Sequence, residues 1–312
     1  MHNVRNSVSR ATLAMLLAGS LVTLVAGCSS APKRPPEVFT NRNAATGQLD
    51  MASQAVAKRE FASAQVYLDK AWNLAVSTDD AESRINVLLA RGNAWFNQGN
   101  TDKANDAWNQ ALSEATTAGD KTLTAIGKIY IARGSLPEGN SASQALSADE
   151  RKAIASRAKA TVTAEMPNVK ANQLYTAFAW RVIGLATKEE GSATEAEKAL
   201  QNAVSIHDKG RYLEDAAYDW YLIASVRSKA GQYESALQAI ATATAFDRRA
   251  ENTSGLGMDW LAAGKIAEKA GDTAKAMDAY RRAAEIFNSG FQKESAAEAE
   301  ARIAALAGQS GK

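Results

Sequence analysis

A chain of 312 residues with 46% hydrophobic side chains is long enough for one large or two ordinary domains. It is also apolar enough to bury a substantial core, which excludes a disordered or collagen-like polymer. Its 36 basic and 34 acidic side chains nearly cancel, so the concentrated positive surface of a nucleic-acid binder is not indicated; abundant alanine with only five prolines favours an all-α chain.

In chain order, the first element is a targeting segment. Arg5 and Arg10 form a positive start, and Ala11 to Ala26 form an uncharged, mostly apolar run of 16 residues that ends just before Cys28. A bilayer-spanning helix needs about 20 apolar residues, so a permanent span is the weaker reading. Leu24-Val25-Ala26-Gly27-Cys28 resembles the lipobox of bacterial lipoprotein precursors, in which small residues admit the signal peptidase and the cysteine becomes the new N-terminus. The resemblance implies a signal peptide over 1–27, lipidation at Cys28 and a place in the bacterial cell envelope. Ser29, in place of Asp, fits delivery to the outer membrane, facing the periplasm, if the cell is a diderm.

Cleavage would remove two basic residues and no acid, leaving 34 of each sign (36 − 2 = 34 against 34), so the mature chain is formally neutral. With Cys28 as the only cysteine no internal disulfide is possible, and stability must come from packing. Residues 28–44 carry three of the five prolines and read as an extended tether, with the folded part starting near Ala45.

From there a 40-residue rhythm dominates. Trp180, Trp220 and Trp260 are 40 apart, and so are Gly184, Ala224 and Gly264; Gly191, Gly231 and Gly271; Ala196, Ala236 and Ala276; Leu200, Ile240 and Tyr280; and Ala203, Ala243 and Ala283. An earlier unit carries Leu88, Gly92, Trp95, Gly99, Ala104, Trp108 and Ala111 in the same phase, and one before it carries Ala52, Phe61, Ala64, Leu68 and Ala71. Offsets of three and four place these residues on shared helix faces, where Gly and Ala let two axes approach and the large residues fill the space between hairpins. Gly99, Gly191, Gly231 and Gly271 fall where a first helix must end and the chain reverse.

The order Trp, Gly, Gly, Ala, large, Ala resembles the tetratricopeptide repeat, W-x2-L-G-x2-Y followed by A-x3-F and A. That resemblance implies a right-handed α-solenoid of antiparallel helix pairs. Two departures stand out: the closing proline is missing from every unit, and the spacing is 40 rather than 34, which the reading assigns to a longer second helix and the connection after it. Residues 45–133 form the N-terminal units, 134–170 an irregular hairpin with an insertion, 171–290 three regular units and 291–312 a capping helix and tail. In the irregular hairpin, Ser147 and Glu150 have capping-box spacing and predict a helix from Ala148 that stops before Pro167. The interruption marks either a functional loop or a joint between sub-arrays, with the joint favoured.

Chemistry is sparsely represented. One histidine in the mature chain, His207, leaves no Ser/His/Asp or Cys/His site and no multi-ligand zinc site, and it reads as a partly exposed helix-end residue. Asp79-Asp80 and Glu189-Glu190 read as solvated faces, and no nucleotide-binding fingerprint is present, so neither an enzyme, a metal nor a cofactor is expected. The tryptophans at 180, 220 and 260 read mainly as core. The resemblance implies that first helices line a concave surface, here with Asn86, Leu89, Asn93, Phe96, Asn97, Phe178, Arg181, Leu185, Tyr218, Tyr221, Ser225, Leu261 and Lys265. Aromatic rings beside Arg and amide groups suit an extended or helical peptide. The expectation is a lipid-anchored scaffold or adaptor that binds an envelope protein through this groove; the alternative is a ligand- or substrate-binding-protein-associated component of an envelope transport system.

Overall fold

In the computed structural model, residues 39–137 and 145–310 are described; Cys28, the 1–27 segment and most of the expected tether lie outside them. The described residues form thirteen helices in chain order. They pair as α1 (Thr40–Ala57) with α2 (Phe61–Ser77), α3 (Ala81–Asn97) with α4 (Thr101–Thr117), α5 (Lys121–Ser135) with α6 (Ala148–Val169), and α7 (Gln173–Glu190) with α8 (Ala193–Gly210). Then follow α9 (Leu213–Lys229) with α10 (Tyr233–Ala250), α11 (Thr253–Lys269) with α12 (Thr273–Ser289), and the single α13 (Lys293–Ser310). Each helix packs on the next, and each first helix also touches the first helix of the following hairpin, from α1 on α3 through to α9 on α11. First helices therefore form the inner layer of a solenoid, the all-α architecture that the sequence pattern implies.

The small and large columns explain how each hairpin closes. A Cβ added at Gly264 would run into the Tyr280 ring, one at Gly92 into the Trp108 indole, and one at Gly184 would sit 2.7 Å from Leu200 Cγ. Each pair is sixteen residues apart, and the fourth such pair is Ala224 with Ile240, both buried. A small residue on the first helix thus receives a large one from the second. Polar tips are satisfied as they are buried: Trp108 Nε1 donates to the Leu89 carbonyl at 3.2 Å and the Tyr280 hydroxyl to Glu268 at 2.6 Å. Trp180, Trp220 and Trp260 pack half-buried against the main core.

Where the hairpins turn, Gly191 takes a left-handed φ of 96° and its N–H bonds the Lys188 and Thr187 carbonyls, closing α7. The extra residues of the repeat do not lengthen the second helix alone. Paired helices outside the α5–α6 unit have 17 or 18 residues each, so the added length is shared between both.

Two boundaries differ from the sequence reading. Helix α1 begins at Thr40, so residues 40–44 are helical rather than tether. Helix α6 has the expected capping box at Ser147 and Glu150 but runs past Pro167 to Val169. Val169 is fully buried, and hydroxyls from Thr122 and Thr176 donate to the carbonyls of Asn168 and Val169, each at 3.1 Å, so the last turn is held by its neighbours. Helix α6 packs on both α5 and α7, and one hydrophobic core runs through it from Ile85 to Ala279. The core is thus continuous through the middle hairpin, although its helices, of 15 and 22 residues, depart from the 17 or 18 of the others.

The array also curls back on itself. The Ser254 hydroxyl at the start of α11 donates to the Ala57 carbonyl at the end of α1 at 2.7 Å and lies 3.1 Å from the Gln292 side chain. Arg59 pairs with Glu294 at 3.4 Å. The first hairpin thus meets the last repeat and its cap.

Overpacking a close approach is expected to cost about 1–3 kcal/mol. Gly264→Ala should lower the urea midpoint accordingly, despite the roughly 1 kcal/mol that Ala gains over Gly in a helix interior; an unchanged or raised midpoint would show that the close approach to Tyr280 does not govern hairpin closure.

Candidate functional site

The inner layer presents two cavities. Asn93, Phe96 and Asn97 from α3, Tyr130 and Arg133 from α5, Phe178 and Arg181 from α7, and Tyr218 from α9 line one of about 470 Å3. Its floor is a run of rings, with centroid separations of 5.7 Å for Phe96–Trp108, 5.8 Å for Trp108–Tyr130 and 4.5 Å for Tyr130–Phe178. Asn93 donates to the Tyr130 hydroxyl at 3.3 Å, and the Arg133 guanidinium lies 4.9 Å over the Phe96 ring. Burial raises the Tyr130 pKa, and mainly burial pushes Tyr175 up to about 12, so both stay as neutral hydroxyls.

The second cavity, about 420 Å3, is lined by Tyr221, Ser225 and Lys265 together with Arg151, Lys188, Lys229 and Lys269. Glu189 is its one carboxylate among the described residues. Lys188 is buried and donates to Ser225 Oγ at 2.7 Å; Lys229 pairs with Glu189 at 3.2 Å and Lys265 with Glu298 at 2.7 Å. Tyr218 from the first cavity and Tyr221 from the second stack on each other at 6.0 Å and 11°. One cavity is thus mainly aromatic and the other mainly basic.

Three residues placed on that groove are instead core. Leu89, Leu185 and Leu261 are 4%, 1% and 2% exposed, because the stripe they occupy is consumed where first helices pack on their neighbours. Asn86 keeps an inner position and faces the Tyr175 hydroxyl at 3.5 Å.

Arg181 is on the inner wall but fully engaged. Its guanidinium donates to Asp219 at 2.6 Å and Asp215 at 3.0 Å, and lies 5.0 Å over the Tyr218 ring. Burial works against its charge, but Asp219 and Asp215 outweigh it and raise its pKa. The other oxygen of Asp219 meets His207 Nδ1 at 2.7 Å, and both residues are buried, so His207 is not the partly exposed helix-end residue expected from sequence. The Glu189-Glu190 pair is likewise not a solvated face: Glu189 binds Lys229 and Glu190 binds Lys159, joining adjacent hairpins. Asp79 is largely exposed beside Arg84, but Asp80 is mostly covered and pairs with Arg42 at 3.3 Å, so only half of the Asp79-Asp80 pair is a solvated face.

One repeat further on, Asp259 occupies the place of Asp219. It is 2% exposed, and burial first, then the charge of Asp247, pushes its pKa up to about 8 against a lowering contact from Thr244. Asp247 is pushed up to about 6 by burial, opposed by the hydrogen bond from Asn252 at 2.8 Å. Neither was singled out from sequence, although an acid directly before Trp220 and again before Trp260 was a visible column. Among the described residues no group of three or more His, Cys, Asp or Glu is placed to hold a metal ion, and no helix is long and apolar enough to cross a membrane.

No protein-family model and no curated protein matches the chain. Solved structures do. A Rap protein complexed with competence and sporulation factor superposes with a TM-score of 0.56 at 16% identity, covering 87% of this chain and 77% of that one. The apo form of RapI superposes with a TM-score of 0.54 at 11% identity, covering 86% and 72%. PilW, a type IV pilus biogenesis factor, gives 0.46 at 15% identity, covering 81% and 97%. The first two likenesses show the fold, a tetratricopeptide-like helical solenoid.

Removing Arg181 leaves the buried Asp219 carboxylate with His207 alone, and breaking a buried pair in this way costs about 3–5 kcal/mol. Arg181→Met should therefore lose that much in urea unfolding; a loss under about 1 kcal/mol, the scale of an exposed pair, would show the network to be peripheral. Asp247 and Asp259 set a pH dependence of definite sign. Their folded pKa values exceed the unfolded value of about 3.9, so the folded chain holds more protons between about pH 4 and 8 and stability falls as pH rises through that window. Asp259→Asn should flatten the part above about pH 6, read from urea midpoints across the range.

Proposed function

We propose that this chain is a lipid-anchored scaffold of the bacterial cell envelope whose inner face binds a segment of a partner protein. The observation that carries the reading is the convergence of side chains from α3, α5, α7, α9 and α11 on two cavities, one aromatic and one basic, linked by the stacked rings of Tyr218 and Tyr221. Rings that are already held by packing bury area on binding with little loss of side-chain entropy, and the lysines favour acidic residues further along the same segment. A partner segment with apolar or aromatic residues followed by Asp or Glu is the complement.

Anchoring rests on the lipobox-like residues 24–28 and on the proline-rich stretch that follows, which would hold a neutral array off the membrane. Each buried methylene of an acyl chain contributes about 0.8 kcal/mol, so several chains would fix the protein to one leaflet. Delivery to the outer membrane, facing the periplasm, is part of the same proposal and rests on Ser29. A second reading, a component of an envelope transport system, has one observation in its favour. Cavities of about 420 and 470 Å3 fall in the range that holds small molecules.

Cys28→Ala should move the protein from the membrane to the soluble fraction with its helical circular dichroism intact; persistence in the membrane would undo the anchoring. A photocrosslinker at Tyr218 or Lys265 in intact cells should trap one and the same partner, and one at the outward Lys198 should not. Lys265→Glu combined with Lys269→Glu should weaken that capture by about tenfold or more, equivalent to about 1.4 kcal/mol. Equal trapping from both faces would remove the inner face from the proposal, and loss of capture to an added small molecule alone would favour the transport reading.

A further inference from the structure

Asp219 and Asp259 stand 40 residues apart in equivalent places. The first is satisfied by Arg181 from the preceding repeat and by His207, with Asp215 holding the same guanidinium. Forty residues on, the counterparts of Arg181, His207 and Asp215 are Tyr221, Asp247 and Gly255. The carboxylate is kept while its cation is exchanged for a tyrosine and its histidine for a second acid. Asp259 Oδ2 is buried with no hydrogen-bond partner, and among the described residues no cationic side chain pairs with Asp259 or Asp247.

This carboxylate is not sealed in. It lines a cavity of about 200 Å3 together with Asp247, Glu214, Tyr218, Tyr221 and Met258. A Cβ at residue 255 would collide with the Asp247 carboxylate, so glycine there is what admits the second acid. The end of α1 forms part of the wall at Ala57, whose carbonyl accepts from Ser254.

We propose that this cavity binds a guanidinium group, in the role that Arg181 plays one repeat earlier. Guanidinium is planar, always charged and rich in N–H donors, which matches a site lined by Asp259, Asp247 and Glu214. The volume is below the range of about 300–1,000 Å3 that takes drug-sized ligands, so it accepts a group of side-chain size. The same chemistry is available from a free small guanidine or from an arginine side chain of a partner protein. Either would fill the site whether or not the inner face takes an acidic segment, and either would bind against the junction of α1 with α11.

The test uses the full chain with n-propylguanidinium, and n-propylurea as the neutral isostere, in calorimetric titration and thermal unfolding. Propylguanidinium should bind saturably at one site and raise Tm, and propylurea should do neither. Asp259→Asn should weaken binding by about tenfold or more. Tyr221→Arg restores the repeat's own guanidinium, so it should raise Tm without ligand and abolish binding. A short peptide with one Arg is compared with the same peptide carrying citrulline: tighter binding of the Arg peptide than of propylguanidinium assigns the site to a partner's side chain, and equal binding assigns it to a free guanidine. The proposal is overturned if propylguanidinium behaves as propylurea does. It is overturned equally if binding survives both substitutions, or if calcium or magnesium ions alone give the Asp259-dependent response.

Discussion

The close approach of a small residue on each first helix to a large one sixteen positions later is the constraint on which the molecule depends. Gly92 under Trp108, Gly184 under Leu200, Ala224 under Ile240 and Gly264 under Tyr280 set the separation of paired axes. Because the axes are held close, connections of two or three residues suffice outside the middle hairpin, and each hairpin meets the next in the same register. The inner layer follows from that: with first helices touching one another, residues two or three turns apart on successive helices are delivered to one lumen. Phe96, Tyr130 and Phe178 come from three different hairpins yet form one run of rings.

This explains why much of the architecture was legible in the sequence. Columns at a fixed period report contacts within a unit, so the Gly and large columns, the glycine at residue 191 and the Ser147 capping box could be read directly. The inner-face positions were legible only up to rotation of the helix. Phe96, Phe178, Tyr218, Tyr221, Ser225 and Lys265 reach the cavities, but Leu185 lies on the neighbouring stripe that first helices use to pack on each other. A shift of about 100° around the axis, one residue, separates lumen from core, and hydrophobic pattern alone does not resolve it.

The polar network was hidden for a different reason. Arg181, His207 and Asp219 come from three helices in two repeats, and what brings them together is the packing of α7, α8 and α9 on one another rather than any local spacing. A lone histidine is uninformative until its neighbour is known to be an acid. Helix α6 crossing Pro167 has the same origin: its last carbonyls are satisfied by Thr122 and Thr176 on other helices, which a chain-local rule for helix ends cannot include.

A repeat protein therefore carries two kinds of information in one column. Positions that recur keep the stack together, and positions where a repeated residue stands among different partners mark where the repeats diverge. Asp219 with Arg181 and His207 is a satisfied network that locks two hairpins. Asp259 with Tyr221 and Asp247 keeps the acid, removes the cation and opens a cavity, at a cost in stability that grows as the two acids ionise. Packing gives no reason for that exchange, since an apolar residue at 259 would be simpler to bury; Ala179 and Ala299 stand at the corresponding places one repeat to either side of the two acids, and both are fully buried. The acid at 259 is retained in the one hairpin where the two ends of the array meet, so whatever satisfies it acts on the closure between α1 and α11.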